Sequence, residues 1–369
     1  MRATTAIRTV PDELAGLARW RLASQRLSGK PFTRPQDVVG HMLAMQAQDY
    51  GQALWAIGAR TRSGTVTSIE KAVAAGRIIR TWPMRGTIHW VLPQDARWLI
   101  RLCGSRQLTA HAARLKQLRL TERDITRAGE LLEPELAGGP MTRAQCMQIL
   151  DDAGLKTDGQ RGYSLLWSLA HQELICIGPM QGKQQTFVLL DDWAPTSSST
   201  DLSGDEALAE LAVRYVASRA PVTDRDLARW AGIRLSDARK GIAAAGDSLR
   251  STVIDGTTYV FARPKPPHSG PAGELLLAGF DEYLIGYADR TAMLAAEHAA
   301  AVVPGGNGIF KPMIVMDGQI TGVWQRTIRA GSVSITRTPF IAGGADTAAA
   351  LRPQAERYAH FLGLELASV

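Results

Sequence analysis

The order of elements that the sequence predicts for residues 205–263 limits the fold more than any other feature. DEALAELAVRYVASR has apolar residues at helical spacing and stops at Ala220-Pro221. Thr223 is expected to cap a second helix and Ser236 a third. LRSTVIDGTTYVFAR then predicts two β-strands joined at Asp255-Gly256, a dipeptide typical of tight hairpin turns. Three helices followed by a hairpin make up a winged helix.

The same order occurs twice more upstream. A second copy precedes the first at a period of roughly 80 residues. It consists of the predicted helix ERDITRAGELLEPEL, a helix capped by Thr142, the helix RGYSLLWSLAHQ and the strands ELICIGP and KQQTFVLL. A more divergent copy begins with a helix from about Asp12 to Ser24, continues with a helix after Pro35 and another helix, and ends in strands around IIRTW and TIHWVL. Three copies without a dimerisation helix argue against a dimeric repressor and favour a curved monomer that grips a duplex.

Two segments rich in Pro, Ser and Gly, residues 195–204 and 263–273, are typical of linkers. Beyond them, ELLLAGF, PMIVMDG, ITGVWQR and SVSITRT predict strands, and ADTAAALRPQAERYAHFL predicts an amphipathic helix. The predicted fold class is α+β, with about three tandem winged-helix domains in a C-shaped monomer and a mixed α/β C-terminal part. The predicted domains are residues 1–120, 121–200, 201–265 and 266–369.

Composition narrows the choice of partner and compartment. The chain has 42 basic and 35 acidic residues, a net charge of +7 and a pI of about 9.5, which favours a polyanion such as nucleic acid; an arginine-rich codon usage is the alternative. The three cysteines lack CxxC spacing, so they indicate neither a disulfide framework nor a zinc site. MRATTAIRTV has no apolar signal core, and no apolar run reaches the roughly 18 residues of a membrane span. We expect a cytoplasmic protein that has no membrane partner.

Two short segments, MQAQDY and RTWPMRGTIHWVL, bear on chemistry. Neither is a metal, phosphate-loop or nucleophile motif, so catalysis would depend on neutral amides, one histidine and arginines, with no metal and no cofactor. Gln46 and Gln48 flank Ala47. Residues i and i+2 diverge on a helix but share one side of an extended segment. If both glutamines serve one water molecule, MQAQDY must lie at a helix end or kink, near Tyr50-Gly51.

Other residues around these segments are further candidates. Asp49 is an alternative or supporting base, because a carboxylate is chemically better suited than an amide. Arg85, Thr87 and His89 are expected on one face of a strand that lines a binding cleft and contacts DNA. His89 either donates to a phosphate, holds the glutamine region, or is a buried histidine hydrogen-bonded to backbone. Residues 41–57 contain no lysine, so the sequence gives no support for a Schiff-base lyase step.

Arg97 and Arg101 lie one helical turn apart and would either track DNA phosphates or form a solvated helix face. The tryptophans of this region are expected to be core residues more than base-stacking platforms; they are Trp82, Trp90 and Trp98. For the adjacent carboxylates Asp281 and Glu282, capping or ion pairing is expected over a hydrolase pair.

The chain resembles the AlkZ-like winged-helix DNA glycosylases, the family of the azinomycin-resistance enzyme, over nearly its whole length. Four segments carry this resemblance, and they occur in this order: MQAQDY, RTWPMRGTIHWVL, FDEYLIGYADR and GIFKPMIVMDGQITGVWQR. This resemblance implies a monofunctional glycosylase made of tandem winged helices, acting on bulky N7-alkylated guanines in double-stranded DNA and, in some members, unhooking interstrand crosslinks. It assigns Gln46 and Gln48 as the catalytic pair. A related branch carries Asp at the second position, so preference for crosslinks or monoadducts stays open.

The chemistry of such a substrate suits amide side chains. An N7-alkylguanine is already cationic and leaves C1′ without a strong general acid, so the task is to place a water molecule and stabilise the oxocarbenium ion. A glutamine carbonyl accepts from water while its NH₂ group donates to oxygen, so the side chain orients without titrating. Two other functions stay open: a non-enzymatic DNA-binding regulator and a resistance protein that sequesters a drug.

Overall fold

The computed structural model describes residues 12–196, 201–262, 273–306, 308–341 and 346–369. The linker predictions fall mainly on residues 197–200 and 263–272, and the N-terminal ten residues precede this range, so these predictions lie largely outside the described residues. The fold is mixed α/β. The N-terminal part contains these elements: α1 Asp12–Ser24, α2 Pro35–Met42, β1 Ala44–Gln46, α3 Tyr50–Gly58, α4 Val66–Ala74, β2 Ile79–Met84, β3 Thr87–Val91 and α5 Pro93–Gln117.

The second and third groups of elements keep the predicted order of helices followed by a hairpin. They are α6 Glu122–Leu136, β4 Met141–Thr142, α7 Arg143–Asp152, α8 Arg161–His171, β5 Ile175–Gln181, β6 Gln184–Leu189 and α9 Leu190–Trp193, then α10 Gly204–Arg219, α11 Asp224–Ala231, α12 Leu235–Ala244, β7 Leu249–Ile254 and β8 Thr257–Ala262. The number of winged helices and the domain boundaries stay predictions.

Threonine capping explains where several of these helices begin. Thr142 and Thr223 each accept from the backbone N–H three residues ahead, and the side chain at that position bonds back to the backbone N–H of the threonine, as the sequence predicted. The prediction for Ser236 is wrong. Helix α12 already begins at Leu235, Arg234 holds the N-cap position, and no side chain caps it. The hairpin β7–β8 turns at Asp255-Gly256, both with positive φ.

The strand pairing differs from that of three separate winged helices, in which each hairpin, or wing, would form its own small sheet. The strands of the first two groups join in one six-stranded sheet with the order β1-β3-β2-β5-β6-β4. The junction is the antiparallel pairing of Arg80 in β2 with Ile177 in β5. Alternation of apolar residues fixes which face of a strand is buried but not which hairpin lies beside it. The two wings therefore form a single platform, with β1 at its edge.

The C-terminal part builds a five-stranded sheet with the order β13-β12-β11-β10-β9. Its elements are β9 Glu274–Leu277, α13 Glu282–Ile285, α14 Ala299–Val302, β10 Met313–Met316, β11 Gln319–Arg329, β12 Ser332–Pro339, α15 Asp346–Leu362 and β13 Glu365–Ser368. The predicted strands and helix are confirmed, and the short β13 was not predicted. Packing against α3 is tight: the Trp55 indole donates to Leu276 O at 2.7 Å and lies edge-on to Tyr358.

Candidate functional site

The two glutamines project from the edge of the six-stranded sheet. Strand β1 pairs with β3, which sets Gln46 opposite His89, and Ala47 N donates to Ile88 O at 2.7 Å. Ala47 is 1% exposed, whereas Gln46 is half-buried and Gln48 is exposed. The segment leaves β1 at Gln46, bends at Gln48 and ends where α3 begins at Tyr50, so it lies at a helix end as expected.

The two amides differ in what they offer to a ligand. Gln48 Oε1 accepts from Ile88 N at 3.2 Å. Because a backbone N–H only donates, the amide oxygen must face it, which leaves Nε2 as the end available to a ligand. The Gln46 side chain has no hydrogen-bond partner within the described residues. Gln46 therefore keeps a free carbonyl, while Gln48 chiefly presents a donor.

An ion pair covers the outer edge of β1. Arg219 donates through Nη1 to Met42 O at 2.9 Å and through Nη2 to Ala44 O at 3.0 Å, and Glu282 Oε1 accepts from Gln46 N at 3.0 Å. The two side chains bond to each other at 2.8 Å, and Glu282 Oε2 also accepts from the Trp230 indole at 2.8 Å. Both residues are at most 1% exposed. Side chains thus hold Met42 O, Ala44 O and Gln46 N along this edge.

Charge in this cluster is balanced within the protein. Burial alone would raise the pKa of Glu282, but the guanidinium groups of Arg219 and Arg85 hold that pKa below its usual value. The neighbouring Asp281 forms a second buried pair, accepting from Arg60 at 2.8 and 3.0 Å, and also caps α13 by accepting from Tyr283 N. The capping and ion-pairing roles expected for the two carboxylates are confirmed.

His89 lies behind Gln46 with both ring nitrogens engaged. Arg85 Nη2 is 3.0 Å from His89 Nε2, and His89 Nδ1 is 2.8 Å from Thr87 O. A guanidinium only donates, so Nε2 accepts and the proton on Nδ1 is donated to Thr87 O. Burial, and then the charge of Arg85, lower the pKa of His89 to about 3. The ring is neutral and matches the buried, backbone-bonded alternative.

The strand prediction for Arg85 is wrong. Arg85 and Gly86 form the turn between β2 and β3, with φ of 55° and 69°, so only Thr87 and His89 lie in the strand. The Arg85 side chain nevertheless reaches back to His89. It also packs on Gly232 at the end of α11, where an added Cβ would lie 3.2 Å from Arg85 Cγ. Burial lowers the pKa of this guanidinium.

Asp49 serves the first turn of α3. Its Oδ1 accepts from Gln52 N at 3.1 Å, which makes it the N-cap, and its side chain is otherwise exposed. The next residue, Tyr50, is held by Arg80, whose guanidinium lies 4.6 Å from the ring centre. These contacts fix the point where the glutamine segment turns into the helix.

The two arginines expected to track phosphates are paired inside the chain. Arg97 contacts Glu173 at 3.0 Å and Asp191, and Arg101 contacts Glu173 at 2.6 Å and Asp201. Their charge is already compensated by carboxylates, and the contacts tie α5 to the second group of elements. Phosphate binding by these residues stays a prediction that the ion pairs do not favour.

Arg326, which was not predicted from the sequence, lies beside the first turn of α3 at Gly51. In β11, its Nη2 lies 3.1 Å from where a Cβ on Gly51 would stand, and Nη1 donates to Tyr358 OH. Among the described residues it has no carboxylate partner within ion-pair distance. Nearly 280 positions separate Arg326 from Gln48, so no local sequence pattern indicates that the two residues lie in the same region.

The described parts of the chain give little support for a metal site, a membrane-spanning helix or a cysteine nucleophile. They contain no group of three or more His, Cys, Asp or Glu residues that could hold a metal ion. No helix among them has the length and apolarity to cross a bilayer. Burial raises the pKa of Cys103 and Cys176 to about 12, so neither thiol is a ready nucleophile.

Buried neutral histidines predict acid sensitivity. Burial lowers the pKa of His89 to about 3 and that of His171 to about 4, against 6.5 in the unfolded chain. The stability that these two neutral histidines contribute is therefore fully present above pH 6.5. It is lost as the pH falls toward 4, because only the unfolded chain takes up these protons. Each histidine adds about 1.4 kcal/mol per pH unit to the slope.

Urea unfolding at pH 7, 6 and 5 measures this slope. His171→Phe, which keeps a ring stacked on Trp167, is expected to flatten it by one histidine's share. An unchanged slope would mean that His171 takes up its proton equally in the folded and the unfolded protein.

The chain is similar to known proteins in sequence and in fold. The family model described as DNA glycosylase AlkZ-like matches residues 39–361. The chain is 27% identical over 319 residues to an interstrand DNA cross-link repair glycosylase of Streptomyces sahachiroi, covering 83% of this chain and 86% of the relative. The solved structure of the Streptomyces sahachiroi DNA glycosylase AlkZ matches with a TM-score of 0.78 and 24% identity, over 96% of this chain and 99% of that one. At that identity the structural match speaks for the fold alone.

Proposed function

The chain belongs to the AlkZ-like DNA glycosylase family, and we propose that it hydrolyses the N-glycosidic bond of bulky N7-alkylguanine adducts in double-stranded DNA. The observation that supports this proposal is the pair of amides that flank Ala47 between β1 and α3: Gln46 has a free carbonyl, and Gln48 has a free NH₂ group. Crosslinks are a further substrate class, because the relative is named for interstrand cross-link repair.

The proposed mechanism assigns different tasks to the two glutamines. The Gln46 carbonyl accepts a hydrogen bond from the attacking water and orients a lone pair toward C1′. The Gln48 NH₂ group donates to an oxygen of the sugar or phosphate, which fixes the nucleotide. The alkylated base leaves as a neutral molecule as the C1′–N9 bond breaks, the water adds to C1′, and its proton passes to solvent.

Neither His89 nor Asp49 takes the proton in this proposal. Both nitrogens of His89 are engaged, and one carboxylate oxygen of Asp49 caps α3. The cationic leaving group reduces the need for a strong base, so orientation by amides suffices. The protein acts as a monomer without a cofactor.

The test is a duplex that carries one bulky N7-alkylguanine. Mass spectrometry is expected to find the free alkylated base and an intact strand that contains an abasic site. A duplex with the same adduct inside a crosslink tests the further substrate class. Sequence-specific binding without base release would instead favour the regulator, and binding of free drug without DNA would favour sequestration.

Arg326 is proposed to bind a phosphate beside the reacting nucleotide. Arg326→Gln is expected to weaken DNA binding and to lower the slope of log K against log salt by about 0.9, the value for one phosphate contact. Arg101→Gln removes the same charge from a residue held by Glu173 and is the matched control. Binding titrations from low to high salt measure both. An equal loss in the control would favour phosphate tracking along α5, and no change in Arg326→Gln would contradict the assignment.

A further inference from the structure

The outer edge of β1 is completed by two side chains where a sheet would place another strand. The backbone groups of Ala44 and Gln46 point away from β3 because those of Met45 and Ala47 point toward it. Of these outward groups, Ala44 O accepts from Arg219 and Gln46 N donates to Glu282, at 3.0 Å each. An unpaired edge would leave these buried polar groups unsatisfied and free to shift.

We propose that the Arg219–Glu282 pair is a positioning device that fixes the register of Gln46 against the reacting nucleotide. The inference rests on the proposed function, in which the Gln46 carbonyl orients the attacking water. Neither residue is proposed to touch DNA. Their action passes through the backbone of β1, in which Glu282 holds the amide of the catalytic residue itself.

The pair is itself rigidly held by parts of the chain distant from β1. Arg219 is the last residue of α10, and its guanidinium lies 4.2 Å from the Trp230 ring centre. Trp230 in α11 donates to Glu282, and Tyr287 OH donates to Arg219 O at 2.9 Å. Helices α10 and α11 and the segment after β9 therefore meet at the catalytic strand, so a shift of these helices would reach Gln46.

The Arg219–Glu282 pair contributes precision of position more than stability. A buried ion pair is weak evidence for stabilisation, since apolar residues of similar volume often serve as well. Apolar replacements, however, could not bond to Ala44 O and Gln46 N. Misplacing a catalytic group by about 1 Å costs on the order of 100-fold in rate. The polar pair supplies the directional contacts that hold Gln46 within that tolerance.

The chain contains a matched control next to the pair. Asp281 and Arg60 form a buried ion pair of the same kind, each 0% exposed, with no bond to β1. Glu282→Gln and Asp281→Asn both replace a buried carboxylate by an amide opposite an arginine. Both variants are expected to lower the urea unfolding midpoint to a similar degree. Only Glu282, however, bonds to the Gln46 backbone in the wild-type protein.

Single-turnover base release at saturating enzyme separates the two roles. Glu282→Gln is expected to slow the step about 10- to 100-fold with DNA affinity unchanged, whereas Asp281→Asn stays within about threefold of wild type. Arg219→Lys is a second variant, because an ammonium cannot bond to Met42 O, Ala44 O and Glu282 with guanidinium geometry; it is expected to slow the step as well. Equal rates in Glu282→Gln and Asp281→Asn would overturn the proposal.

Hydrogen exchange gives a readout independent of activity. The Gln46 amide is expected to lose protection in Glu282→Gln and to keep it in Asp281→Asn. If the wild-type protein releases no alkylguanine, the proposed function fails while this exchange difference still supports the positioning role. Unchanged protection of Gln46 in Glu282→Gln would overturn it, whatever the activity.

Discussion

Gln46→Ala is expected to slow base release from an N7-alkylguanine duplex by about 100-fold or more, the range seen when one preorganised polar group is removed from an active site. DNA affinity is expected to stay within about twofold, because the side chain is proposed to contact water and not phosphate. Single-turnover kinetics with excess enzyme, together with binding titrations, measure the two quantities separately. A parallel loss of binding and rate would mean that Gln46 only maintains the fold.

Glutamate variants distinguish the tasks assigned to the two glutamines. Gln46→Glu keeps an acceptor for water and is expected to retain more activity than Gln46→Ala. Gln48→Glu still accepts from Ile88 N but loses the donor and adds a negative charge near DNA, so it is expected to be at least as impaired as Gln48→Ala. The reverse order would contradict the proposed assignment.

Asp281→Ala is expected to lower the free energy of unfolding by about 3–5 kcal/mol, since it leaves the Arg60 guanidinium buried without its counter-charge. Arg60 also donates to Gln25 O and Ala56 O, so the side chain cannot turn toward solvent without breaking these bonds. Equilibrium urea unfolding measures the change.

A double variant isolates the unpaired charge as the cause. Arg60→Met combined with Asp281→Leu removes both charges and is expected to recover most of the loss, as apolar pairs of similar volume often replace buried ion pairs. If the double variant is as unstable as Asp281→Ala, the destabilisation comes from lost hydrogen bonds, such as the cap on Tyr283 N, and not from the unpaired charge of Arg60.

Much of the local structure followed from the sequence because the signals were local. Thr142 and Thr223 start helices through bonds to residues three positions ahead, and Asp255-Gly256 turns a hairpin through its own backbone angles. The position of Gln46 and Gln48 just before α3 agrees with the expectation of a helix end or kink near Tyr50-Gly51. The failures at Ser236 and Arg85 were small shifts at the ends of elements, where competing caps and turns differ little in energy.

The environment of the site could not be predicted in the same way. Glu282 reaches Gln46 across 236 positions, and Arg326 reaches Gly51 across a similar distance. No periodicity encodes such contacts, since they depend on how separate groups of elements dock. The joining of two wings in one sheet has the same origin. The ion pairs of Arg97 and Arg101 with Glu173 were not predicted either, and phosphate binding by these two arginines stays a prediction.

Glutamine-dependent glycosylase activity is tested most directly by base release from one duplex with a single bulky N7-alkylguanine, measured for the wild-type protein and for the Gln46→Ala, Gln48→Ala double variant. We expect wild type to liberate the intact alkylated base and to leave an unbroken strand with an abasic site, while the double variant binds the duplex and releases nothing measurable. Release by the double variant at the wild-type rate, or strand cleavage in place of an abasic site, would contradict it.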